Sequence, residues 1–126
     1  KRQRVIFLGQ RKDLREILAV SDISLSLTEK PEAFGRVIVE SLSLGTPVVA
    51  YDHGGAAEQL EIMLPSGRVP VGDLERATQT VADFLRTPPT IATEHPFTLD
   101  QMQRSTLAVY EELLSQTFAK ELPGSP

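Results

Sequence analysis

Four short apolar runs, at residues 5–8, 23–27, 48–51 and 68–71, punctuate the chain, each bounded by Gly, Pro or Asp. Their apolarity is continuous rather than alternating, which suits strands covered on both faces, as in a parallel sheet. The stretches between them follow a helical period. Residues 13–20 place Leu14, Ile17 and Leu18 on one face, and residues 34–44 do the same with Phe34, Val37, Ile38, Ser41 and Leu42. Gly45 stands where a glycine ends a helix, with Pro47 two residues on. Further helices are expected over 55–60 and over 74–85, the latter with Asp73 as its N-cap. A last helix, capped by Thr98 or Asp100, is expected to run to about residue 120, with Met102, Leu107, Tyr110 and Leu114 on or near one stripe. Strand and helix in alternation predict an α/β fold. Residues 87–96 hold three prolines and little apolar bulk and read as a connector; 123–126 read as a disordered tail.

Composition narrows the class. At 126 residues and 40% hydrophobic content there is room for one modest core. A net charge of −4 argues against a nucleic-acid binder, and Lys1-Arg2-Gln3-Arg4 and Arg11-Lys12 are too short to reverse that. There are no cysteines, hence no disulfides or thiolate metal sites. His53 and His95 are too separated to argue a metal site and read as surface or turn residues. No apolar stretch reaches the roughly 18 to 20 residues of a transmembrane helix, and no signal peptide opens the chain. The abrupt Lys-Arg start directly before an apolar run reads as that of a clipped fragment.

The candidate chemistry lies in Glu32-Ala33-Phe34-Gly35-Arg36-Val37-Ile38-Val39-Glu40, two carboxylates straddling a Phe-Gly pair where a helix should begin. With the helix N-terminus at Phe34-Gly35, the amides of Gly35, Arg36 and Val37 point out of the first turn and, with the helix dipole, form an anion site suited to a diphosphate. Glu40 would lie about 7 to 8 Å along the axis, at ~1.5 Å per residue. Glu32 would lie before the helix, at the carboxyl end of a strand. A carboxylate on either side of an anion site matches a nucleotide diphosphate sugar, with ribose hydroxyls at one end and hexose hydroxyls at the other. The plainer alternative makes Glu32 a solvated loop residue and Glu40 an exposed helix position.

In order and spacing, Phe7-Leu8-Gly9, Ala19-Val20-Ser21-Asp22, Glu32-x-Phe34-Gly35, Glu40, Gly45-Thr46-Pro47-Val48-Val49-Ala50, Asp52-His53-Gly54-Gly55 with Glu58, and Val69-Pro70-Val71-Gly72-Asp73 resemble the retaining glycosyltransferases of the GT-B fold, the large group-1 family. The likeness covers roughly residues 5 to 115. It implies a Rossmann-like parallel sheet flanked by helices, the later part of the second domain of such an enzyme. Residues 1–87 would be an N-terminally incomplete nucleotide-sugar binding domain, 88–98 a Pro-rich connector, 99–121 a C-terminal helix and 122–126 a tail. Glu32 would be the catalytic-site residue holding donor hexose hydroxyls. The amides of Ala33, Phe34, Gly35, Arg36 and Val37 would hold the diphosphate, Glu40 the ribose, and the backbone at Gln10 and Arg11 would lie near the nucleobase. Gly54-Gly55 would either line the same crevice or form a plain tight turn. Ala33 stands where the family often has Gly, which narrows approach to the sugar.

The resemblance further implies metal-independent hexosyl transfer with retention and no cofactor, the donor being a nucleotide diphosphate sugar; the chain has no Asp-x-Asp, in agreement. The opening strands of the domain and the whole acceptor domain would lie outside this chain, so the polypeptide alone is expected to be inactive. Its expected partners are the donor and the missing half, supplied by a separate chain or replaced by self-association. It is expected to be cytoplasmic, to bind no nucleic acid, and to meet a membrane only peripherally, through the missing domain. Two other functions stay open at this point: an epimerase of the same fold, and a non-catalytic nucleotide-binding or interaction module.

Overall fold

The most continuous apolar run becomes the middle of the sheet. The computed structural model describes residues 4–121, and among them β1 (Ser24–Ser26), β2 (Val48–Tyr51) and β3 (Arg68–Val69) form a three-stranded parallel sheet in the order β1-β2-β3. Ser24, Leu25 and Ser26 lie opposite Val48, Val49 and Ala50; Ala50 and Tyr51 lie opposite Arg68 and Val69. Every residue of β2 is buried, as continuous apolarity requires of a strand covered on both faces. The described residues also form five α-helices: α1 (Leu14–Val20), α2 (Arg36–Ser43), α3 (Gly54–Met63), α4 (Leu74–Arg86) and α5 (Leu99–Glu121). The chain divides into two compact units, one ending at Thr93 and the other starting at Glu94.

In the first unit, α2, α3 and α4 all contact β2, and the core gathers Leu18, Ile38, Leu42, Leu60, Met63, Leu64, Val69 and Phe84 around it. The end of α2 is set by Gly45, whose φ of 83° suits the left-handed residue of a Schellman turn. Gly45 N donates to Leu42 O at 3.0 Å and Thr46 N to Ser41 O at 3.0 Å, which satisfies carbonyls that the helix end would orphan. The Thr46 hydroxyl then donates to Leu18 O at 2.7 Å, tying this turn to the end of α1. At the start of α4, Asp73 caps the helix by accepting from Arg76 N at 2.8 Å. Ala92 N donates to Met63 O at 2.9 Å and holds the Pro-rich connector against the end of α3.

Several expectations from the pattern need correction. Residues 5–8 form no strand, and Val5, Ile6, Phe7 and Leu8 are 73%, 71%, 94% and 51% exposed. An apolar run becomes a strand only beside another strand that satisfies its amides, and among the described residues these find none. The last expected strand stops at Val69 because Pro70 has no N–H to give to the ladder. β1 is shorter than 23–27 and leaves Leu25 exposed, because an edge strand is covered less than a central one. α3 is longer than 55–60, since its Gly-Gly start and its Met63 end both fit a helix packed on the sheet. α2 starts at Arg36, not Phe34: Gly35, at φ 72° and ψ 61°, is outside helical geometry. The buried face of α2 is therefore Ile38, Ser41 and Leu42, while Phe34 and Val37 are partly exposed.

In the second unit, Thr98 rather than Asp100 caps α5, its hydroxyl accepting from Gln101 N at 3.1 Å. Asp100 instead pairs with Arg104 one turn on, at 2.9 Å. Met102, Leu107, Tyr110 and Leu114, expected on one stripe, are all exposed. No helix among the described residues is long and apolar enough to cross a membrane. The tail expected to be disordered, like residues 1–3, lies outside the described residues.

Candidate functional site

The loop that follows β1, residues 27–35, and the first turns of α2 and α3 form the candidate site. A positive-φ glycine at position 35 turns the chain sharply into α2 with no side-chain cap, so the first amides of the helix have no internal acceptor. Ile38 N reaches back to Gly35 O at 3.0 Å; among the described residues the amides of Gly35, Arg36 and Val37 donate to no acceptor. The partial positive charge of a helix N-terminus is thus open at this point. A Cβ built on Gly35 would lie 3.3 Å from Glu32 Oε2, which puts the Glu32 carboxylate directly beside the same turn.

Glu32, Ala33, Phe34, Arg36 and Val37 are exposed, Gly35 and Glu40 half-buried. The predicted residues 32–37 and 40 are therefore contiguous in space as well as in sequence, on one loop and the helix it opens. Glu40 lies 3.6 Å from Arg36 across one helical turn, a contact that is weak at such exposure. Gln10 and Arg11 sit apart from this group in the chain, in the irregular segment before α1. Arg11 gives its guanidinium to Asp13 through two bonds of 2.7 and 2.6 Å. That bond holds the Asp13 carboxyl below its ordinary range and raises the Arg11 guanidinium.

The start of α3 is packed against that loop. Gly55 N donates to Glu32 O at 2.9 Å, His53 Nε2 bonds Thr28 O at 2.8 Å, and Gln59 Nε2 donates to Phe34 O. Gly54 and Gly55 are what let the two backbones meet. A Cβ on Gly54 would fall 2.6 Å from Glu32 O, and one on Gly55 would fall 2.5 Å from Phe34 O. Of the two readings of the Gly-Gly pair, neither is complete: it is a packing surface for the loop. Gln59 and the contacts of His53 escaped the sequence reading. Gln59 left one trace, a polar residue among Gly55, Ala56, Leu60 and Met63 on the buried face of α3. Among the described residues no group of three or more His, Asp or Glu could hold a metal ion.

A parallel α/β sheet whose strand β1 leads through a tight loop into a glycine-opened helix defines a class of protein that presents helix N-termini at the carboxyl edge of its strands. The chain belongs to the glycosyl transferases group 1 family, whose model matches residues 1–90. Over 118 residues, 94% of this chain and 29% of the relative, it is 28% identical to the N-acetyl-alpha-D-glucosaminyl L-malate synthase of Bacillus anthracis. Over 127 aligned positions, 88% of this chain and 34% of the relative, it is 26% identical to the lipopolysaccharide core biosynthesis mannosyltransferase LpsB of Rhizobium meliloti (strain 1021). The chain thus spans about a third of the length of these curated relatives.

Proposed function

We propose that this chain is the donor-binding part of a retaining, metal-independent glycosyltransferase that moves a hexosyl group from a nucleotide diphosphate sugar to a glycan or glycolipid acceptor. The observation that carries the reading is the set of amides at Gly35, Arg36 and Val37 that have no acceptor among the described residues, flanked by Glu32 before the helix and Glu40 one turn inside it. The amides and the helix dipole take the diphosphate. Glu32 takes hydroxyls of the sugar and Glu40 those of the ribose, in exchange for its contact with Arg36. The names of the two relatives carry an N-acetylglucosaminyl and a mannosyl group, both hexose units that Glu32 could hold by the same bonds.

In the transfer, the bond from the sugar C1 to the diphosphate oxygen breaks while the acceptor oxygen bonds C1 on the same face. The acceptor proton passes to the departing diphosphate. Negative charge grows on that diphosphate, and donors fixed in advance at the start of α2 stabilise it without reorganising. The acceptor, and strands that would pair with the exposed residues 5–8, come from the rest of a longer protein, from a separate chain or from a second copy. The reaction is placed in the cytoplasm, with any membrane contact made peripherally by that missing part. Calorimetric titration of the chain with UDP, ADP and GDP, each against Glu40→Ala, tests the reading. One nucleotide binding in a Glu40-dependent way supports it. Failure of all three to bind, with the missing part restored as well, would favour a non-catalytic interaction module.

A further inference from the structure

We infer that Gln59, with Gly55 and His53, is a positioning element for the Glu32 loop: the start of α3 holds the loop by its carbonyls and so aims the amides of Gly35 to Val37. The inference rests on the donor-site reading for its functional meaning, though not for its geometry. Three carbonyls of the loop, those of Thr28, Glu32 and Phe34, are each bonded from the segment 53–59. They bracket Glu32 and Ala33 from both sides, and the last of them is the carbonyl immediately before Gly35. Rotation of the 34–35 peptide unit would swing the Gly35 amide with it, because the carbonyl and the next N–H share one rigid plane. Fixing Phe34 O therefore fixes where Gly35 N points.

Gln59 is costly to keep for any other purpose. Its side chain is fully buried, with a relative exposure of 0%, and among the described residues its Oε1 has no hydrogen-bond partner. A buried amide oxygen left unpaired destabilises a fold, and an apolar side chain of similar volume would fill the same position among Ala56, Leu60 and Met63 without that cost. What such a side chain could not supply is the donor to Phe34 O. At the start of α3 the Gly55 amide is already taken by Glu32 O. The glycines of this turn and the glutamine one helical turn later serve the neighbouring site by contact, without touching what binds there.

Two variants test this in the full 126-residue chain. In Gln59→Leu the core remains filled, so thermal stability should hold or rise. Hydrogen-exchange protection of the Gly55 amide, which reports docking of Glu32 O, should fall while that of Val49 and Leu60 is kept. Affinity for whichever of UDP, ADP and GDP the wild type binds should drop roughly tenfold, as for a displaced set of binding groups. In Gln59→Glu, Gly55 protection should return as pH falls, since only the protonated carboxyl can donate to Phe34 O. Unchanged Gly55 protection in Gln59→Leu, or pH-independent protection in Gln59→Glu, overturns the positioning role. A wild type that binds none of the three nucleotides would sink the donor reading instead, and the exchange data would still judge the role of Gln59.

Discussion

The N-termini of α2 and α3 start from nearly the same local instruction and end in opposite uses. Each follows a parallel strand, opens on a positive-φ glycine (72° at Gly35, 56° at Gly54) and lacks a side-chain cap. At α2 the first amides find no acceptor among the described residues; at α3 the Gly55 amide is consumed by Glu32 O and the space above it is filled by the Phe34 backbone. A glycine at a helix start thus permits two things that local sequence cannot tell apart, approach of a ligand and approach of another segment of the same chain. What separates them is tertiary: the loop after β1 arrives over α3 and leaves α2 open.

The sharpest way to break this contrast is a methyl group on each side. Gly55→Ala drives a Cβ into backbone at Phe34, which cannot move without the whole loop, and should destabilise by on the order of 3 kcal/mol, the upper end for overpacking. Gly35→Ala meets side-chain atoms, Glu32 Oε2 at 3.3 Å and Ile38 Cδ1 and Cγ1 at 3.4 and 3.9 Å. Its main cost is the left-handed backbone, about 1 kcal/mol. Urea unfolding of the two variants should rank them in that order. Equal midpoints would mean that the α3 turn is not the packing surface described above.

Next in size is the split between stability and binding at Glu40. Its exposed contact with Arg36 is worth little, so Glu40→Ala should shift unfolding by less than about 0.5 kcal/mol. Loss of a charged hydrogen bond to ribose should weaken nucleotide binding by about 1.5 to 3 kcal/mol, or roughly 10- to 100-fold. If the unfolding midpoint falls while affinity stays, Glu40 is a structural residue of α2 and its end of the open site is empty of function.

Much of this was readable beforehand, for physical reasons that differ by region. The α/β alternation, β2 and the Gly45 and Asp73 boundaries follow from local rules of burial and capping, and they stand where those rules put them. Residues 5–8 failed because a strand is a property of two segments. The start of α2 was misplaced by two residues because Phe34 fits the apolar face by spacing, yet Gly35 turns out of helical geometry. Glu32, Gly35 and Glu40 were legible as a cluster since they lie on consecutive elements. Gln59 was not, because its meaning depends on a carbonyl 25 residues away.

α4 supplies an internal control, a third N-terminus closed by its own side chain. Asp73→Ala removes the bond to Arg76 N and should cost about 1 kcal/mol. Nucleotide affinity should be untouched, because the cap bond is local to the start of α4. An affinity change as large as that of Glu40→Ala would mean that binding follows global stability, and the contrast between open and closed helix starts would lose its functional content.

The smallest effect concerns Arg11, whose backbone was expected near the nucleobase and whose side chain is bonded to Asp13. The Arg11 hydrogen bond lowers the folded-state pKa of Asp13, so the pair contributes stability above the unfolded carboxyl range, and that contribution is lost as pH falls through the lowered value. Above neutrality the Asp13 contribution should be flat, and in mild acid it should persist below the point where an ordinary aspartate protonates. Carboxyl NMR should find Asp13 titrating below the usual range, and Arg11→Gln should return it there. The same spectra recorded with nucleotide bound carry the comparison one step further. If base binding used the Arg11 side chain, the guanidinium would leave Asp13 and its titration would move up toward the ordinary value. If only the backbone at Gln10 and Arg11 lines the base, the titration should stay low, and Arg11→Gln should leave affinity unchanged.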